Sequence, residues 1–301
     1  MEGFPHLDEE TKKYATLPPE RRIEYLYRPR TIIYPRLKNL VALMDRHLEY
    51  PKRPRMPNLL VVGESNIGKT TAVRKFVDTH PQITFEDETG MSRVRMPVLY
   101  MVAPHTSDEK SFYIAILEQF WTSFRPNDTL AKLRHQAFYL MRECDVGMIV
   151  IDEMHNLLET TPVRQRTMMN LIKNLGNELM VPIVGVGTET ALQVLGTDPQ
   201  HASRFEVARL PAWKLDREFL GLLKGFEKIL PLQKPSGLYS REKAKLLYSI
   251  SDGNLGNLHK LLMQCAEEAI RTGEEEISTE IIGKFRWVRP TQKGRPVEIP
   301  L

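Results

Sequence analysis

The stretch Gly63-Glu64-Ser65-Asn66-Ile67-Gly68-Lys69-Thr70 decides the fold. It matches G-x-x-x-x-G-K-[ST], the pattern of a loop whose backbone N–H groups turn inward on phosphate oxygens. Its flanks supply the required context. From Asn58, NLLVVG is a short apolar run that ends in glycine and predicts a strand, and Thr70 to Thr79 predicts a helix. A helix that starts at the loop adds its positive end to the phosphate site. The candidate nucleotide-binding residues are therefore Gly63, Glu64, Ser65, Asn66, Ile67, Gly68, Lys69, Thr70 and Thr71. Lys69 is placed to contact the β- and γ-phosphates of ATP, and Thr70 to hold Mg²⁺.

Working outward, three more apolar runs follow: MPVLYMVAP (Met96 to Pro104), GMIVIDE (Gly147 to Glu153) and VPIVGVGT (Val181 to Thr188). Each is apolar on both faces, as buried parallel strands are. Helical stretches are expected between them at Ser111 to Phe124, Thr129 to Glu143 and Pro162 to Leu179. Strand–helix alternation predicts an α/β parallel sheet flanked by helices. From Leu215 onward only helical patterns appear, at Leu215 to Leu230, Ser240 to Ser251, Leu255 to Thr272 and Ser278 to Phe285. The expected organisation is an extension over 1–57, a nucleotide-binding α/β domain over 58–212, a small helical domain over 213–285 and a basic tail over 286–301. The extension carries an amphipathic helix from Pro35 to Leu48. A proline-broken basic connector, Pro51 to Pro57, follows with Lys52, Arg53 and Arg55.

The second chemical signal is Asp152-Glu153 at the end of the MIVI strand. Carboxylates at the C-terminal end of a parallel strand stand beside the phosphate loop. Asp152 is the candidate Mg²⁺ ligand, and Glu153 the candidate base that polarises the attacking water, which implies hydrolysis. Thr188, after the fourth strand, either orients that water or caps the helix that follows. Arg204, in Ser203-Arg204-Phe205, is the candidate to reach a neighbouring copy's γ-phosphate, as against a surface ion pair, and Arg209 is its rival.

Composition narrows the class. The chain has 301 residues, of which 42% are hydrophobic and 27% charged, an ordinary globular balance. The net charge of +4 excludes a polybasic protein and leaves room for a local basic surface. Two distant cysteines, Cys144 and Cys265, exclude a disulfide scaffold and fit a reducing cytosol. No apolar run approaches the roughly 18 residues that a membrane span requires. A cytoplasmic protein is expected. His105 and His155 have no partner at metal-ligand spacing, and the Met168-Met169 pair reads as core or interface filler.

These residues together resemble an AAA+ ATPase, and closely the TniB/TnsC family of transposition regulators. The segments that carry the resemblance are VVGESNIGKT (61–70), VLYMVAPHTSDEKSF (98–112), MIVIDEMHNLL (148–158), PIVGVGTETAL (182–192), SRF (203–205) and DGNLGNLHKLLMQCAEEAI (252–270). The resemblance implies an AAA+ P-loop fold with a C-terminal helical lid. It also implies an ATPase that oligomerises as a ring or filament on duplex DNA, without sequence preference. Partners would be a transposase and a TniQ-like target-selector protein, with disassembly on hydrolysis. Lys69, Thr70, Asp152, Glu153, Thr188 and Arg204 fall on matching positions. Where such lids commonly carry an arginine, this chain has Gly253-Asn254-Leu255-Gly256-Asn257, so that only the uncharged Asn257 is placed to contact nucleotide. By the same resemblance, DNA backbone contacts fall on Lys110 and Thr129, with Lys132 and Arg134 close by. Arg164 and Arg166 are alternatives. The rival readings are a helicase loader or replication-initiator ATPase, a small-molecule kinase, and a nucleotide-gated scaffold.

Overall fold

The computed structural model describes residues 3–125 and 127–285. The basic tail expected over 286–301 lies outside the described residues. Among the described residues seven strands occur: β1 (Asn58–Gly63), β2 (Ile83–Glu86), β3 (Ser92–Arg95), β4 (Val98–Val102), β5 (Met148–Asp152), β6 (Ile183–Gly187) and β7 (Phe205–Leu210). The helices are α1 (Glu9–Ala15), α2 (Pro19–Leu26), α3 (Pro35–Leu48), α4 (Lys69–Thr79), α5 (Glu109–Glu118), α6 (Leu130–Glu143), α7 (His155–Leu158), α8 (Pro162–Leu179), α9 (Glu189–Gly196), α10 (Pro199–Ala202), α11 (Arg217–Ile229), α12 (Arg241–Ser251), α13 (Leu255–Thr272) and α14 (Thr279–Lys284). They sort into two compact units, Arg36–Pro211 and a helical unit that joins the chain up to Pro35 with the chain from Ala212 onward.

The first unit is built on a five-stranded sheet in the order β4-β5-β6-β1-β7, with every pairing parallel. Its inner strands are buried along their whole length, because NLLVVG, MIVID and IVGVG offer apolar or small side chains to both faces. On one face Leu60, Val62, Leu99, Met101, Ile149 and Ile151 pack with Phe112 and Ile116 of α5, Phe138 of α6 and Met168 and Ile172 of α8. Each such side chain removed from water contributes about 1.5–3 kcal/mol. All five strands run the same way, so Gly63, Asp152 and Gly187 end on one edge of the sheet, where ligands of such sheets bind.

Three features differ from the sequence expectations. The edge strand β7 was not anticipated. FEVARL is interrupted by Glu206 and Arg209 and stays largely exposed, yet it pairs with β1 over six residues. The hairpin β2–β3 is exposed at nearly every position, so no burial pattern announces it. Its turn is organised by Asp87, which accepts from Thr89 Oγ1, Arg93 Nε, Met91 N and Thr89 N. Those bonds hold its carboxyl well below the usual range. Helix α5 ends at Glu118, short of the expected Phe124: the chain reverses at Trp121, φ +52°, and Phe120 and Phe124 reach the core from the loop.

In the helical unit α1 and α2 are integral, and residues 1–57 are not one extension. Arg22 of α2 is 2% exposed. Its Nε and Nη2 donate to Pro231 O at 3.0 and 2.7 Å, and both its Nη groups pair with Glu275. A buried guanidinium holds its place only when paired in this way. Helix α3 belongs instead to the sheet unit, burying Leu37, Leu40 and Met44.

Candidate active site

The phosphate loop leads from β1 into α4. Gly68, at φ +96°, takes the left-handed turn that starts α4, and no side chain caps the helix. The first-turn N–H groups are therefore free of side-chain acceptors, as an anion site requires. Lys69 is buried, and its Nζ donates to Gly63 O and Glu64 O, both at 2.8 Å. Burial lowers its pKa, against the attraction of Glu153, Asp152 and Glu64. Thr70 is half-buried beside it, and Thr71, Glu64, Ser65 and Asn66 are exposed, whereas Ile67 anchors the loop in the core.

Asp152 ends β5, 2% exposed, and accepts from Glu153 N (Oδ1, 2.8 Å) and Tyr100 Oη (Oδ2, 2.8 Å). Burial and the Asp152 carboxylate push the Tyr100 hydroxyl up to about 12, so it remains a proton donor to Asp152. Sequence reading missed Tyr100; the one signal was a hydroxyl-bearing residue inside the otherwise apolar VLYMV. The guanidinium of Arg74 lies 5.2 Å from the Tyr100 ring centre and completes a line from α4 to β5.

Glu153 has a left-handed backbone, φ +53°, which turns the chain sharply off the strand. Non-glycine residues rarely adopt it, and such strain concentrates at functional sites. Its Oε2 lies 3.3 Å from His155 Nδ1. Room for this turn comes from β6. A Cβ on Gly185 would stand 2.3 Å from Met154 Sδ, so only glycine lets Met154 pack there. Thr188 follows β6, and its buried Oγ1 has no hydrogen-bond partner; it does not cap α9. Lys69, Thr70, Asp152, Glu153 and Thr188 thus converge on the C-terminal edge of the sheet. An unpartnered hydroxyl, a buried amine held only by carbonyls and an uncapped helix start are the features a nucleotide phosphate tail fits.

The two rival arginines lie at opposite ends of β7. Arg209 pairs in register with Val62, beside the loop, and its Nη1 donates to both oxygens of Glu189 at 2.9 and 3.1 Å. Arg204 precedes β7, where its carbonyl accepts from Asn58 N at the start of β1. Six residues of strand therefore separate it from the loop edge, about 20 Å. Its Nη1 donates to Asn177 Oδ1 at 2.9 Å.

Among the candidate DNA contacts, Lys110 is half-buried near the start of α5. Thr129 caps α6, accepting from Lys132 N at 3.3 Å. Lys132 Nζ pairs with Asp128 at 3.0 Å, and Arg134 with Glu178 at 3.0 Å. Arg164 and Arg166 are exposed at the start of α8. Asn257 belongs to the helical unit, where its N–H donates to Asn254 Oδ1 at 3.1 Å and its Nδ2 to Ser251 O at 3.4 Å.

Among the described residues no helix is long and apolar enough to cross a membrane. No curated protein matches the sequence. Among solved structures the chain is similar to the ORC2 protein of Aeropyrum pernix in its ADPNP–ADP complexes. That match has a TM-score of 0.60 and 16% identity, over 88% of this chain and 71% of that one. It is also similar to Cdc6p of Pyrobaculum aerophilum, with a TM-score of 0.58 and 19% identity over 87% and 69%. A third is the Aeropyrum pernix ORC1 protein in complex with DNA, with a TM-score of 0.57 and 18% identity over 87% and 68%. At these identities the likeness establishes the fold alone: an AAA+ P-loop sheet with a helical C-terminal region. The family model described as Bacterial TniB protein matches residues 22–215, well over half of the chain. With the phosphate loop and the Asp152-Glu153 strand end in place, the chain belongs to the TniB family of AAA+ ATPases, which bind and hydrolyse ATP.

Proposed function

We propose that this ATPase is an assembly factor of DNA transposition. With ATP it oligomerises, as a ring or filament, on duplex DNA and recruits a transposase and a TniQ-like target selector; hydrolysis then releases the assembly. The observation that carries this reading is the division of the sheet unit. One edge gathers Lys69, Thr70, Asp152, Glu153 and Thr188, and Arg204 stands at the other. An arginine so placed serves a neighbour's nucleotide and makes turnover depend on assembly. The ORC1 structure with DNA supports a fold used on duplexes, and it keeps a replication-initiator role as the second reading.

In the proposed reaction Lys69 exchanges its two carbonyl partners for the β- and γ-phosphates. Glu153 takes the proton of the attacking water as its oxygen bonds to the γ-phosphorus, the bond from that phosphorus to the β,γ-bridging oxygen breaks and ADP leaves, and the unpartnered Thr188 hydroxyl orients the water. Thr70 and Asp152 are the residues that would hold Mg²⁺, which neutralises phosphate charge when bound. The helical unit would act as the lid, with Asn257 its contact to nucleotide. Lys110, Thr129, Lys132 and Arg134 would line the DNA, the last two after exchanging their carboxylate partners for phosphates. Arg164 and Arg166 have the exposure to replace them. The protein would be cytoplasmic, and nucleoid-associated when assembled.

The test is fluorescence anisotropy on unrelated duplexes across a salt series, with a slowly hydrolysed ATP analogue, ADP or no nucleotide. Binding should require the analogue, ignore sequence and fall with salt at a slope near −0.9 per phosphate contact. Glu153→Gln should stay on DNA with ATP itself, its turnover reduced about 10²–10⁴-fold. Equal binding in all three nucleotide states would sink the scheme. Co-purification with a replicative helicase, and not with a transposase, would move it to the second reading.

A further inference from the structure

At the end of the sheet unit away from the phosphate loop, the Pro51–Pro57 connector crosses the turn before β7 and encloses a cleft of roughly 550 Å³. Arg53, Arg55 and Arg204 line it, against one carboxylate, Glu206. That carboxylate is already engaged. Arg46 Nη2 donates to both its oxygens at 3.2 and 3.0 Å, and His47 Nε2 lies 3.7 Å away. The bond Arg204 makes is to the neutral amide of Asn177. The Arg53 guanidinium lies 4.6 Å from the Tyr50 ring centre, and Arg55 holds a left-handed backbone at φ +63°, a conformation an exposed arginine rarely adopts. Three guanidiniums thus share a concave surface whose acid is neutralised from behind.

Such a cleft calls for an anion with several oxygens, since guanidiniums bind phosphate through paired N–H donors. Its volume falls in the range of small-ligand sites, about 300–1,000 Å³. Duplex phosphates are spread along a broad surface, whereas these arginines line one cleft. In a head-to-tail stack the phosphate-loop edge of one copy meets the opposite end of the next. We infer that this cleft is a phosphate-binding site in which Arg53 and Arg55 act beside Arg204, and that its ligand is the terminal phosphate of the nucleotide held by a second copy of this chain. The inference rests on the reading of Arg204 above and extends it: the connector senses the neighbour's nucleotide and couples that state to α3, which precedes it in the same unit.

The test compares wild-type protein, Lys69→Ala, and the double variant Arg53→Ala/Arg55→Gly. Glycine at 55 removes the charge and suits a positive φ, so the fold is not put at risk; a thermal melt checks this. With DNA present, hydrolysis per subunit should fall about tenfold in the double variant, while its affinity for a fluorescent ATP analogue stays unchanged at concentrations where it is monomeric. Mixed one to one with Lys69→Ala, which lacks its own nucleotide and keeps its arginines, the double variant should regain about half the wild-type rate per nucleotide-binding subunit. Arg53→Lys/Arg55→Lys should retain most of the rate. Undiminished hydrolysis in the double variant overturns the inference. So does a loss that mixing fails to restore, which would put the arginines to work within their own copy. A change confined to the salt slope of DNA binding also overturns it and assigns the cleft to backbone phosphates. Hydrolysis by Lys69→Ala alone would instead overturn the phosphate-loop reading beneath it.

Discussion

The two ends of the central sheet are opposites in how they handle charge. At the C-terminal edge, Lys69 and Asp152 are buried and each is satisfied from within the chain, by loop carbonyls and by Tyr100 with the Glu153 N–H. At the other end Arg53 and Arg55 are exposed, and Arg204 has a neutral partner. Buried charge is costly unless paired, so the first end is built once and kept rigid. Exposed arginines are cheap to hold and lose little by exchanging water for phosphate. The first end therefore has its charges satisfied within one copy, whereas the second leaves arginines open to an outside anion, as the proposed function requires.

That contrast can be broken by three substitutions, taken from the largest expected effect to the smallest. Lys69→Ala should abolish tight ATP binding at every protein concentration without unfolding the chain, because the side chain ends on loop carbonyls and not in the apolar core. Equilibrium binding of a fluorescent analogue with a thermal melt decides this, and wild-type affinity would remove the assignment of the loop. Arg204→Ala should leave the affinity of the monomer unchanged and lower hydrolysis by roughly 10³-fold in the assembled state, together with cooperative DNA binding. If instead nucleotide affinity of the monomer falls, the two ends are not separate. Tyr100→Phe removes one of the two described donors to Asp152, worth about 1.5–3 kcal/mol for a bond to a charged group. Hydrolysis should fall about tenfold with a rise in the Mg²⁺ concentration for half-maximal rate, read from a metal titration; an unchanged titration would reduce Tyr100 to a packing residue.

The parts of the site legible in the sequence are those made by chain neighbours. Gly63 to Thr70 and the MIVIDE strand end each place their groups through a single strand and its following turn, so spacing alone specifies them. Thr188 was legible as a strand-end hydroxyl, but whether it caps α9 was not. That depended on a rotamer, and the structure leaves the cap bond unmade. Lys132 and Arg134 read as free cations in the sequence, but Asp128 pairs with one locally and Glu178, 44 residues away, with the other.

What the sequence by itself determined is the local grammar: four apolar runs that join one sheet, the glycines and lysine of the loop, the acids after β5, and the switch to helices beyond Leu215. Backbone conformation and the hydrophobic period act over a few residues, so they can be read from a few residues. Only the tertiary structure decided the rest. It buried Arg22 against Pro231 and Glu275, 209 and 253 residues away, and so made the N-terminal helices part of the helical unit. It brought Tyr100 to Asp152 across 52 residues, and it made the half-polar FEVARL an edge strand by pairing it to β1. It also sent Arg204 and Arg209, five positions apart, to opposite ends of one strand, where a rise of about 3.3 Å per residue converts a short sequence interval into a separation of about 17 Å.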